Sequence, residues 1–262
     1  MVSGTGHGLR AALAVAQRAI AGKARHPLSI VADLAAPLLL IAVFSAAFSE
    51  TVDLAGFPPV RSFLDFGLVG TVFIGVFFTA SDVGESVALD VEHGFFDRLL
   101  VSPVPRSAIL VGVLGSAAAV ALVESLFYMA VLAAFGVRFA GGLWAVAAVA
   151  AVVTVLGTAM AAFTTRVGLS SGTAGAFGAF VPISLVVTFV SSVFAPRALM
   201  TGWFRALAGA NPVSWLVEDL RHQVITGFEP WRVLQALAMV TLVAVPSIWA
   251  AAVALRTRAD GR

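Results

Sequence analysis

Apolar residues in this chain come in blocks of about 20 or more and do not alternate with polar ones; the blocks fall at about 28–49, 63–84, 107–136, 142–163, 172–194 and 232–255. A helix needs about 20 apolar residues to cross about 30 Å of hydrocarbon, so each block predicts a transmembrane helix. Strands of a membrane barrel would show ten-residue alternation instead. The pattern therefore predicts an all-α integral membrane protein with six transmembrane helices in one membrane domain over 1–262.

The segments outside the blocks are patterned too. In 1–26, Leu9, Leu13, Ala16 and Ile20 fall on one helical stripe, and Arg10, Gln17, Arg18 and Arg25 on another. That arrangement predicts an interfacial helix on the membrane surface with its arginines toward headgroups; a basic tail without fixed structure is the alternative. It lacks a continuous apolar core before a small-residue cleavage site, so no cleaved signal is expected. The connection 85–106, ESVALDVEHGFFDRLLVSPVPR, interleaves Phe95, Phe96, Leu99 and Leu100 with Asp90, Glu92, Asp97 and Arg98. This predicts a short amphipathic helix, stopped by Pro103 and Pro105. The connection 195–231 holds apolar stretches too short to span, broken at Gly209 and at Asn211-Pro212. Asn211 is a good N-cap with Pro212 in the first helical position. Trp203, Trp215 and Trp231 suit the headgroup level, so a pair of short helices entering and leaving the outer leaflet is expected.

Composition agrees. Apolar residues make up 60% and charged residues 11% of the 262, with a mean hydropathy of +1.00, far from the balance of soluble domains. The net charge of +2 is spread as single arginines between apolar blocks and makes no nucleic-acid surface. There is no cysteine, which excludes disulfides and thiolate chemistry. With both termini on one side, Arg10, Arg18, Lys23, Arg25, Arg98, Arg106, Arg166, Arg256, Arg258 and Arg262 share that side. Six arginines lie on the other. Positive charge is retained inside, which predicts cytoplasmic termini in a multi-pass protein of the cell membrane.

Chemistry inside the helices is sparse. Only Glu124 is deep in an apolar block, whereas Asp33, Asp65, Asp82 and Glu85 lie near helix ends. An intramembrane carboxylate points to a substrate-path or gating role, or to a helix–helix hydrogen bond. A gradient-driven transporter with Glu124 as proton carrier is the rival reading. A phosphate-binding loop needs G-x-x-x-x-G-K-[ST], and the one lysine, Lys23 in AGKAR, lacks that context; ATP would have to be bound by a partner. Gly168-Leu169-Ser170-Ser171-Gly172 matches the hydrolase elbow G-x-S-x-G, with His93 or His222 as conceivable bases, but no strand precedes it. In 172–194, Ser171, Gly175 and Ala179 have the spacing of a close helix contact, and Pro182 should bend the helix. Phe44, Phe48, Phe73, Phe77, Phe180 and Phe189 are placed to line an apolar path.

On these residues the chain resembles the type-2 permease family of ABC transporters, in particular the daunorubicin-resistance-like drug-efflux membrane subunits. The resemblance rests on Glu92, Gly94, Asp97, Arg98, Leu99, Leu100, Pro103, Pro105 and Arg106, and on Asn211, Pro212 and Arg221. Phe95 departs from it, since the family often has Thr or Ser there. The resemblance implies the type-2 exporter fold, with 85–106 as a coupling helix docked in a groove of a separate ATPase subunit. Phe95, Phe96, Leu99 and Leu100 would fill that groove, and Asp97 and Arg98 would set its register. It further implies an external re-entrant hairpin at 195–231, a second permease chain (identical or related), a hydrophobic drug-like or lipid-like substrate, and ATP with Mg on the partner. No cofactor is implied for this chain.

Overall fold

The computed structural model describes residues 3–24, 27–100 and 104–260, and among these the secondary structure is helical, with no strand. Arg25, Pro103 and Arg262 lie outside the described residues, as do the side chains of Asp97 and Leu100. The helices are α1 (Ser3–Ala24), α2 (Pro27–Ala47), α3 (Phe63–Glu92), α4 (Phe95–Leu100), α5 (Arg106–Ala134), α6 (Gly142–Ser171), α7 (Phe180–Phe189), α8 (Gly202–Ala210), α9 (Pro212–Ile225) and α10 (Pro230–Asp260). Five of them, α2, α3, α5, α6 and α10, are long and apolar enough to cross a membrane.

The block at 172–194 does not form the continuous helix expected of it. A 3-10 turn at Ala174–Phe177 precedes α7, whose ten residues extend only about 15 Å at 1.5 Å per residue. Gly172, Gly175 and Gly178 weaken helix propagation. Pro182 falls in the first turn of α7, where a missing N–H costs no helix bond, so it helps start a helix and does not bend one. Ser171, Gly175 and Ala179 consequently lie on different elements and form no common stripe.

Helix α3 is the centre of the bundle. Ser62 caps it by accepting the Asp65 N–H at 3.3 Å, and Phe66, Phe73 and Val76 along it are buried. They pack in one cluster with Tyr128 and Met129 of α5, Val149 and Val153 of α6, Leu220 and Val224 of α9, and Val240 of α10. In hydrocarbon this burial gains little from water exclusion; tight van der Waals packing holds the helices together. Helices α3 and α6 approach closely. A methyl group on Gly168 would sit 2.7 Å from the Gly84 carbonyl oxygen, so only glycine permits that crossing.

Candidate functional site

At one end of the bundle α3 runs on to Glu92, past the end of its apolar block, and the chain reverses into α4 at Gly94. Gly94 has φ +68°, a left-handed conformation that a side chain would strain. The turn aims Phe96 inward. It is 4% exposed and packs with Val87 and Val91 of α3, Ile109 of α5, Leu169 of α6 and Leu255 of α10, with Leu99 against the same cluster. Phe96 and Leu99, expected to fill a partner's groove, here face their own bundle: an amphipathic helix buries its apolar side, and the bundle supplies a surface for it. Phe95 is half-buried beneath the Arg18 guanidinium, 3.7 Å from its ring centroid. Glu92, His93, Arg98 and Arg106 are exposed around the junction. Among the described side chains of α4, Arg98 is exposed, while Phe96 on the inward face joins the ends of four long helices.

Helix α1 packs along the bundle, and two of its basic residues, Arg18 and Lys23, meet carboxylates while Arg10 is exposed. Ala12 and Val15 pack against Gly112 of α5, while Leu13 faces outward. Arg18 donates both terminal nitrogens to Asp90, at 2.8 and 2.7 Å. That hydrogen bond to the Asp90 carboxylate raises the Arg18 pKa above its ordinary value. Lys23 reaches between α2, α3 and α5, with its Nζ 2.9 Å from Asp82, 3.6 Å from Asp33 and 3.6 Å from Glu124. Burial opposes its charge, but the three carboxylates prevail and raise its pKa. Glu124, 7% exposed, also accepts a hydrogen bond from the Thr79 hydroxyl. The Glu124 carboxylate is thus faced by both an ammonium and a hydroxyl.

At the opposite end Asn211 joins two helices. Its side-chain oxygen accepts the Val213 N–H at 2.9 Å to cap α9, and its amide donates to the Val187 and Val190 carbonyls at the end of α7. Arg221, 5% exposed, donates to the carbonyls of Phe66, Ser192 and Val193, each at 2.9 Å. Its guanidinium also lies 3.6 Å from the Phe66 ring centroid. One cation thereby pins α9 to the top of α3 and to the chain that follows α7. Arg197 forks onto Glu218. Beside this hub lies a cavity of about 340 Å³, walled by Phe44, Phe48, Phe63, Phe189 and Phe194, with Thr51 and Ser191 as polar points.

Of the proposed path residues, Phe44, Phe48 and Phe189 therefore meet in one cavity. Phe73 and Phe77 are buried along α3, and Phe180 faces Phe163 at 6.4 Å. Glu124 belongs to the Lys23 cluster, so Glu124, Phe180 and Phe189 do not form one site. Sequence reasoning missed the pairing of α1 with the carboxylates. The available signal was the coincidence of the only lysine with two acids at the edges of apolar blocks, Asp33 and Asp82, and one inside a block, Glu124. Ser170 lies in the last turn of α6, whereas His222 is beside Glu229 on α9, next to the start of α6. The length of α6 separates them, which leaves Ser170 and His222 no hydrolase geometry.

Residues 10–225 match the sequence profile of the ABC-2 type transporters. The chain belongs to the ABC-2 type transporter family, whose members are membrane permeases of ABC transporters. Among curated relatives it is 26% identical over 205 residues to the daunorubicin resistance ABC transporter permease protein DrrB1 of Streptomyces coeruleorubidus, covering 75% of this chain and 69% of the relative. It is 24% identical over 212 residues to a putative transport permease, ycf38, of Porphyra purpurea, covering 80% and 72%.

Proposed function

We propose that this chain is the permease subunit of an ATP-driven exporter that moves a hydrophobic drug-like or lipid-like solute out of the cytoplasm or inner leaflet, with the energy supplied by a separate ABC ATPase subunit. The termini and α4 face the cytoplasm of the cell membrane. The 3-10 turn and α7 together make the sixth crossing, and α8 and α9 are the external re-entrant pair. Two permease chains form the path. ATP and Mg belong to the partner.

The observation that carries this reading is the seat of Phe96. A push on the outer face of α4 is transmitted through one buried ring to α3, α5, α6 and α10 at once, and close-packed interiors pass on displacement with little loss. Glu92, Arg98 and Arg106 set the docking register through charge. Pro105 caps the start of α5. The aromatic cavity beside the external hub is where an apolar solute leaves, because such sites combine an apolar wall with few polar points. Inside-out vesicles carrying the chain and its ATPase should accumulate a hydrophobic fluorophore when ATP is added, and vesicles lacking either subunit should not. Accumulation driven by a proton gradient without ATP would sink the reading.

A further inference from the structure

An open groove of about 730 Å³ runs between α6 and α10 on the side of the bundle that carries α4. Leu169 on its wall belongs to the Phe96 cluster, which fixes that side. Its trough is apolar, made by Phe163, Pro246, Trp249, Ala250, Val253 and Ala254. Its mouth carries Arg166 and Arg258 beside Ser170 and Thr257, and among the described residues its lining holds no acid. The Leu169 carbonyl accepts from Arg258 at 3.2 Å and holds that guanidinium at the rim. Trp249 is 69% exposed, and Arg166 is exposed.

Depth along the helices matches a bilayer leaflet. Trp249 follows Trp231 by 18 residues and Arg166 follows Trp144 by 22, about 27 and 33 Å at 1.5 Å per residue. With Trp144 and Trp231 at one headgroup level, Trp249 and Arg166 reach the other across about 30 Å of hydrocarbon. An apolar trough at acyl-chain depth that ends in two cations at headgroup depth complements one kind of molecule. We infer that the α6–α10 groove binds an anionic phospholipid of the leaflet on the α4 side, with its phosphate between Arg166 and Arg258 and an acyl chain running from Trp249 toward Pro246 and the bilayer centre. Only the name of that leaflet, the inner one, rests on the exporter reading. Because the groove shares Leu169 with the Phe96 seat, an occupied groove braces the helix ends on which α4 rests.

The test uses the full chain in nanodiscs, with Trp144, Trp203, Trp215 and Trp231 each replaced by Phe so that Trp249 is the sole reporter. Phosphatidylglycerol with brominated chains is compared with phosphatidylcholine carrying the same chains. Charge attraction near a membrane predicts a preference of about fivefold per arginine in the lipid fraction giving half-quenching. Arg166→Gln should remove about one such factor, and Arg166→Gln with Arg258→Gln should abolish the preference. Arg166→Glu, at an exposed position that disturbs no packing, decides the matter should the double variant fail to fold. Equal quenching by the two lipids, or a preference that survives Arg166→Glu, overturns the inference. Quenching by neither lipid overturns it in favour of a second protein chain covering the groove. Failure of ATP-driven transport would leave the quenching result intact, so the two readings stand or fall separately.

Discussion

Among the described residues Lys23 is the one cation facing the three carboxylates of Asp33, Asp82 and Glu124, and Glu124 depends on it most. Removing the ammonium by Lys23→Met leaves Glu124, at 7% exposure, with Thr79 alone. At the observed 3.6 Å, Coulomb attraction is about 4 to 5 kcal/mol for an effective dielectric near 20. Desolvation of both groups offsets much of this, leaving a coupling of about 1–3 kcal/mol. Asp82 and Asp33 are more exposed, and each such pair adds at most about 1 kcal/mol. The assay is a double-mutant cycle of Lys23→Met and Glu124→Gln, read by unfolding of the detergent-solubilised chain. Lys23→Met alone should be clearly destabilising, and Glu124→Gln should recover part of that loss. Strictly additive changes would refute the pairing of Lys23 with Glu124.

Arg221→Lys should cost about 1.5–3 kcal/mol by the same assay, because a point charge cannot fork to three carbonyls; a change within about 0.5 kcal/mol would contradict the hub. Asn211→Ala should lose about 1–2 kcal/mol from the α9 cap, together with its two links to α7, and protease should then cut near 190–211 more readily. Gly168→Ala should destabilise by about 1–3 kcal/mol through overpacking against the Gly84 backbone, whereas Gly175→Ala, which meets open space, should not.

Hydropathy made five long helices legible, and cap chemistry made the start of α9 legible, because both signals are local. The block at 172–194 misled for a physical reason. An apolar average records solvent preference, and three glycines with an early proline leave that preference unchanged while breaking the helix. Periodicity showed that α4 has an apolar face but could not say whether that face meets its own bundle or a partner. Phe96 meets its own bundle. Likewise the wheel of α1 separated basic from apolar positions and left open what the basic ones touch. Lys23 and Asp82 are 59 residues apart, a separation with no sequence-local mark. Arg221 stood out in the sequence as a conspicuous charge, yet its three carbonyl acceptors come from the packed backbone, which no side-chain pattern records.

In the proposed mechanism α4 is the place where a separate ATPase delivers its work. The chain has no native cysteine, so Arg98→Cys on the exposed face and Phe96→Cys in the buried seat are clean probes. In opened membranes a hydrophilic maleimide should label Arg98→Cys in the permease alone and be excluded when the ATPase subunit is co-assembled, while Phe96→Cys reacts poorly in both. Equal labelling of Arg98→Cys with and without the ATPase would contradict the assignment of α4 as the coupling helix.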